Sequence, residues 1–299
     1  MKLFFISLIS LITISSFASP SRSSLTVNEA IDKTSQQRML AQRIAKASVA
    51  AFFNVSENEK EQVTTCTGLF DTNLKELKDY TATAAYTKKI EYTAKLWSSF
   101  KFMLDEDDLS KESLLQLLEM SDKIMESCDA VIAELLIYAP TAASELKEKT
   151  YSLEMSNVIN LSGRQCMLTQ KLAVHYLASV YSLDLKSENG EELLTKTTKE
   201  FKKGLKDLLV FDKNTKGIDG KLAELISAWR EVEALSKSVA TADKDDKAFI
   251  NDFLNKVDKL WMSMDDLSAL YENLAELGTP SERGAANFMN LYNNAGEGN

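Results

Sequence analysis

An arginine set among apolar helical turns, with amide side chains close by, is the feature of this chain best suited to chemistry. Arg38 lies between Gln37 and Met39, and Gln42 follows one turn later. On a helix, Ile31, Ser35, Arg38, Gln42, Ala45, Val49 and Phe52 fall on one stripe, apolar at its ends and polar at its centre. A guanidinium is a charged fork of donors matched to carboxylates and small oxyanions. Burying it alone is costly. Three arrangements are open: it snorkels to the surface, it pairs with an internal carboxylate, or it holds an anion from outside. The amide of Gln42 favours a polar pocket.

The same element recurs 128 residues later. Between Ile31–Ala45 and Ile159–Ala173, six of fifteen positions are identical, where about one is expected by chance. The second seam runs Ile159, Gly163, Cys166, Gln170, Ala173, Leu177 and Val180. Gly163 costs a helix about 1 kcal/mol relative to alanine, a cost most simply understood if another helix or a ligand approaches there. The correspondence continues downstream. Phe70, Leu74 and Leu77 match Phe201, Leu205 and Leu208, and Trp97 matches Trp229. Leu118, Asp122, Lys123, Met125 and Asp129 match Leu254, Asp258, Lys259, Trp261 and Asp265. The chain is a tandem duplication, and the matched apolar positions are core.

Scarce proline and glycine, abundant Leu, Ala, Lys and Glu, and no strand-like alternation predict an all-α protein. Helices are expected at 25–53, 57–80, 85–104 and 108–138, then at 141–184, 189–211, 217–240 and 245–277. Short connections favour antiparallel neighbours. The expected architecture is two tandem antiparallel four-helix bundles forming a pseudo-dimer, residues 25–139 and 141–277, with the break at Pro140. Gly278 and Pro280 begin a tail, 278–299, with a short helix expected over Ala285–Tyr292.

Residues 1–18 read as a signal peptide: Lys2, an apolar run from Leu3 to Ile14, and a small residue, Ala18, at the cleavage point. That run is too short for a bilayer core, which takes about 20 apolar residues. The mature protein is expected to be periplasmic and not inserted in the membrane. The formal charge of −9 grows by one when Lys2 leaves, and an acidic surface without basic-aromatic blocks excludes nucleic acid as a partner. Cys66, Cys128 and Cys166 fit no metal spacing. They are either buried small hydrophobes or a disulfide plus one thiol, with Cys66–Cys128 the best-placed pair. A single histidine, His175, without a Glu-x-x-His motif excludes a di-iron bundle. His175 falls on the core-facing stripe opposite Ala47 and reads as a satisfied core residue. The acidic runs Asp105–Asp108 and Asp243–Asp246 read as helix starts rather than calcium loops. No catalytic motif, metal or cofactor is indicated.

The segments Asn160–Ala173 and Gln37–Lys46 resemble the signature helix of the PilJ/NarX-type sensory domains. These are the periplasmic four-helix domains of type IV pilus chemotaxis transducers and nitrate/nitrite sensor kinases. The family pattern reads Asn-x-Ala-Gly-Arg-Gln-Arg-Met-Leu-Ser-Gln-Arg-x-Ala. The resemblance implies that the arginine before Met, here Arg38, binds nitrate where two bundles meet. Its counterpart is Cys166, while the family's preceding arginine is Arg164 with Gln36 as counterpart, so each copy keeps one of the two. The expected site combines Arg38 and Arg164 for charge with Gln37, Gln42, Gln165 and Gln170 for hydrogen bonds. The expected function is a ligand-binding sensory module for a small oxyanion such as nitrate or nitrite. Family members continue into a membrane helix and signalling domain, whereas this chain ends at Asn299, so it is expected to act through a membrane-bound sensor or chemoreceptor. The rival expectation is a structural or adaptor bundle that binds proteins and no small ligand, with Arg38 paired internally.

Overall fold

The computed structural model describes residues 25–56, 58–105, 109–146, 152–185, 188–239 and 242–277. The expected leader, the tail with its short helix, and positions 106–108 of the first acidic run lie outside them. Eight helices follow in order: α1 (Val27–Phe52), α2 (Glu59–Asp79), α3 (Ala84–Leu104), α4 (Lys111–Leu146), α5 (Leu153–Val180), α6 (Gly190–Leu209), α7 (Lys216–Ser236) and α8 (Lys247–Leu277). None of the described helices is long and apolar enough to cross a membrane.

Local chemistry sets the helix starts. Thr26 and Glu29 form a reciprocal capping box at the head of α1. Thr83, Asn189 and Thr215 cap α3, α6 and α7 through their side-chain oxygens. Asp246, from the second acidic run, accepts from the Phe249 N–H at 3.0 Å at the head of α8. One boundary departs from the sequence expectation. Pro140 does not end the first half; α4 runs through it to Leu146, and α5 begins at Leu153, not at 141. Proline removes one backbone donor but its fixed φ is compatible with a helix. Ala139 and Ala142 are fully buried on either side of it, and that packing holds the helix together across the missing bond.

Helices α1–α4 make one up-and-down bundle and α5–α8 the other. The duplication is visible in the cores: Phe70 stacks on Trp97 with centroids 3.7 Å apart, and their counterparts Phe201 and Trp229 lie 4.5 Å apart. Cys66, Cys128 and Cys166 are all buried and unbridged, so the Cys66–Cys128 pairing is not formed. Burial pushes each thiol up, Cys128 to about 12.

The two bundles meet along α1 and α5, which run parallel. Asn28 accepts a hydrogen bond from Ser156 at 2.6 Å, Ser35 faces Gly163, and Phe53 stacks flat on Tyr181 at 3.7 Å. Each of these residues meets its own counterpart in the other copy, at the constant offset of 128. That is the signature of a two-fold relation, here lying between α1 and α5 within a single chain. Outer contacts repeat it. Arg43 of α1 lies 3.9 Å over the Trp261 ring of α8, while Lys171 of α5 reaches Met125 of α4 at 3.8 Å. Arg43 and Lys171 are counterparts, as are Trp261 and Met125.

Gly163 permits this approach: a Cβ there would lie 2.5 Å from the Ser35 Cβ. Gly68, also helical, has open space around the same position. Gly68→Ala should therefore gain up to about 1 kcal/mol from helix propensity. Gly163→Ala should lose stability, because overpacking costs about 1–3 kcal/mol and outweighs that gain. Urea denaturation of both variants checks the opposite signs.

Candidate functional site

Arg38 sits at the centre of the joint. Its side chain is only 1% exposed, although α1 carries it on a seam that is apolar at both ends. Three neighbours accept from its two terminal nitrogens. Nη1 donates to Asp129 Oδ1 of α4 at 2.6 Å, and Nη2 donates to Ser35 Oγ at 2.9 Å and to Asn160 Oδ1 of α5 at 3.0 Å. Its Nε, also buried, has no acceptor. Burial lowers the pKa of Arg38 and the Asp129 carboxylate opposes that shift, so the ion pair keeps the cation charged. Of the three arrangements open to this arginine, the structure adopts the internal carboxylate.

Arg164, one turn beyond Asn160, is 41% exposed and binds Glu200 of α6. Its Nη1 also comes within 4.0 Å of Asp129 Oδ2. The two arginines that the copies retain are thus brought to one carboxylate, one oxygen each. Any small anion reaching Arg38 at Nη1 must displace Asp129.

The four glutamines do not converge there. Gln37 donates to the Phe70 carbonyl of α2 at 2.9 Å, and its counterpart Gln165 lies against Gly204 of α6. Both serve their own bundles. Gln42 reaches Ser121 at 3.4 Å and Asp122 at 3.3 Å on α4. Gln170 is fully buried, and neither its amide nitrogen nor its oxygen has a partner. His175 is a satisfied core residue, its Nδ1 2.8 Å from Thr197 Oγ1.

The partners that sequence reasoning passed over are the aspartates of the last helix in each bundle. Asp122 takes Lys171 from the other half at 2.9 Å, and its counterpart Asp258 takes Lys46 from the other half at 2.8 Å. Lys46 is as buried as Arg38. Asp122, Asp129, Asp258 and Asp265 had appeared as matched positions seven residues apart in both copies. That recurrence of acid at the same spacing in both copies is the available signal.

Across the pseudo-two-fold the site inverts its charge. The counterparts of Arg38, Arg164, Asn160 and Asp129 are Cys166, Gln36, Asp32 and Asp265. Asp32 of α1 meets Glu272 of α8 carboxyl to carboxyl, and Gln36 donates to Asp32 at 2.6 Å. Burial, with the nearby Asp32 charge, pushes Glu272 up to about 9, and burial raises Asp32 and Asp265 as well. Two carboxyls this close hold one proton between them. Among the described residues no group of three or more His, Cys, Asp or Glu is arranged to hold a metal ion.

Fold and site together define a tandem helical-bundle protein with charge buried at the joint of its halves. The chain matches the PilJ family model, type IV pili methyl-accepting chemotaxis transducer N-terminal domain, over residues 21–98 and 149–253. The match covers more than half of the chain, once in each copy, and the chain belongs to that family. No curated protein and no solved structure matches it.

The shared proton sets a pH dependence. A carboxyl whose folded pKa is raised binds more protons folded than unfolded, so its contribution is complete below its usual value of 4.5 and is lost as pH rises toward about 9. The melting temperature should fall over that window, and Glu272→Gln should flatten the fall. An unchanged slope in Glu272→Gln would remove the proton from this pair.

Proposed function

We propose that this chain is an exported, periplasmic sensory module of the PilJ family that answers a small oxyanion at Arg38. Nitrate or nitrite is the first candidate, and a membrane-bound sensor or chemoreceptor reads the result. The observation that carries this reading is a buried guanidinium beside the pseudo-two-fold with an unused Nε donor. Buried donors without acceptors are uncommon and costly, and a planar oxyanion supplies several acceptors at once. Asp129 has somewhere to go: it is partly exposed, and Arg164 stands beside its second oxygen. An anion would take its place on Arg38 while the carboxylate turns toward Arg164, loosening the tie between α1 and α4. Gln42 and Gln170 would respond through the same joint. Gln37 and Gln165, turned into their bundles, hold α1 and α5 in place.

A second reading has its own support. Arg38 already has an internal carboxylate, as expected of an adaptor that uses the pair to fix α4 on α1.

Asp129→Asn separates the two. Removing one partner of a buried pair costs up to about 3–5 kcal/mol. In the sensory reading, nitrate or nitrite at 100 times its dissociation constant returns about 2.7 kcal/mol, more readily in Asp129→Asn than in the parent. Chloride at equal ionic strength does not, and Arg38→Ala abolishes the response. Thermal melts of the parent and both variants supply the comparison. A flat response to every anion in the parent and in Asp129→Asn decides for the adaptor.

A further inference from the structure

On the outer wall of the first bundle, away from the joint, α3 and α4 leave a groove of about 370 Å³ lined by Lys88, Lys89, Tyr92, Lys123, Glu126 and Ala130. Three lysines face one glutamate in a protein whose net charge is −9. Lys89 has a loose partner, Glu134 at 3.7 Å. Lys88 and Lys123 have no ion-pair or hydrogen-bond partner among the described residues. Beneath the groove the buried hydroxyls of Thr93 and Ser127 bond to each other at 2.5 Å and close its floor.

The second copy supplies an internal comparison. The α3 offset of 132 and the α4 offset of 136, fixed by Trp97/Trp229 and Asp129/Asp265, place Lys221 opposite Lys89 and Lys259 opposite Lys123. They also place Glu224 opposite Tyr92 and Asp266 opposite Ala130. In the second bundle those two acids hold Lys221, at 3.0 and 3.1 Å. In the first bundle both are replaced, by an aromatic 57% exposed and by a methyl group. In the first bundle Lys89 turns instead to Glu134, whose counterpart is Leu270, and Lys88 and Lys123 stand one on each wall without an ion pair among the described residues.

We propose that the α3–α4 groove binds a short-chain dicarboxylate. Cations stand on both walls, Lys88 and Lys89 on α3 and Lys123 on α4, with Tyr92 and Ala130 between them. One unpaired cation on each wall, with an aromatic ring and a methyl group between, suits an anion charged at both ends and apolar in the middle. The volume is that of a small-molecule site. Lysine ammonium groups act as point charges for carboxylates without imposing a fork geometry. The proposal is independent of the anion reading at Arg38.

The test is calorimetric titration of the full chain with succinate, glutarate and adipate. Propionate and inorganic phosphate serve as controls at constant ionic strength, because exposed lysines are readily screened. At least one dicarboxylate should bind about tenfold more tightly than either control. Lys123→Ala and Lys88→Ala should each weaken it. The double variant Tyr92→Glu with Ala130→Asp, which restores the second copy's acids, should abolish binding while circular dichroism melts confirm the fold. Arg38→Ala should leave it unchanged. Absence of dicarboxylate binding, equal binding of propionate or phosphate, or indifference to the double variant would overturn the proposal.

Discussion

Everything in this protein is arranged around the near approach of two parallel helices that are copies of one another. A two-fold relation between α1 and α5 means that a residue at the contact must fit its own counterpart. Small or complementary pairs meet that demand: Ser35 with Gly163, Asn28 with Ser156, Phe53 with Tyr181. Charge is harder to accommodate. An arginine in both copies at the position of Arg38 would bring two guanidiniums toward one axis, stable only with an anion between them. Here one of the two is Cys166, and Asp129 alone balances the other.

Because duplication placed the two copies in one chain, each half was free to change alone. The divergence is concentrated where symmetry is most restrictive. One side of the joint holds Arg38, Arg164 and Asn160 around Asp129, and the other holds Cys166, Gln36 and Asp32 near Asp265 and Glu272. Lys46 is matched by Val174, so only one half sends a buried lysine across to Asp258. The outer wall follows the same logic, Tyr92 and Ala130 standing where the second copy keeps Glu224 and Asp266. A pseudo-symmetric scaffold has thus acquired a basic and an acidic flank without altering its core.

The architecture was legible in the sequence because it depends on periodic apolar positions and on a repeated signature helix. Both are local or self-similar signals. Gly163 was readable as a close approach, since a glycine within a helix needs a reason. Pro140 misled because its tolerance depends on the burial of Ala139 and Ala142, which no local pattern reveals. The candidate site was legible only in part. Arg38 and Arg164 do converge, but Asp129 lies 91 residues from Arg38, and nothing in the sequence weights it over other aspartates except its recurrence as Asp265. The pairing of Asp32 with Glu272, from the first and last helices, left no sequence trace at all.

The buried ion pairs of the joint are weak arguments for stability, since removing charges from water costs about as much as their attraction returns. Their value is in register. Arg38 and Lys171 tie α4 to both central helices, whereas Lys46 and Arg43 tie α8 to α1 alone. The two outer helices are therefore held by different chemistry. α4 depends on a carboxylate, Asp129, that two arginines share and that solvent reaches. α8 depends on a lysine sealed from solvent and on an arginine stacked on an indole. A ligand shifts an equilibrium only by its differential affinity for two arrangements. In the proposed response α4 is accordingly the element whose contacts would change, because Asp129 is the partly exposed partner of a sealed guanidinium.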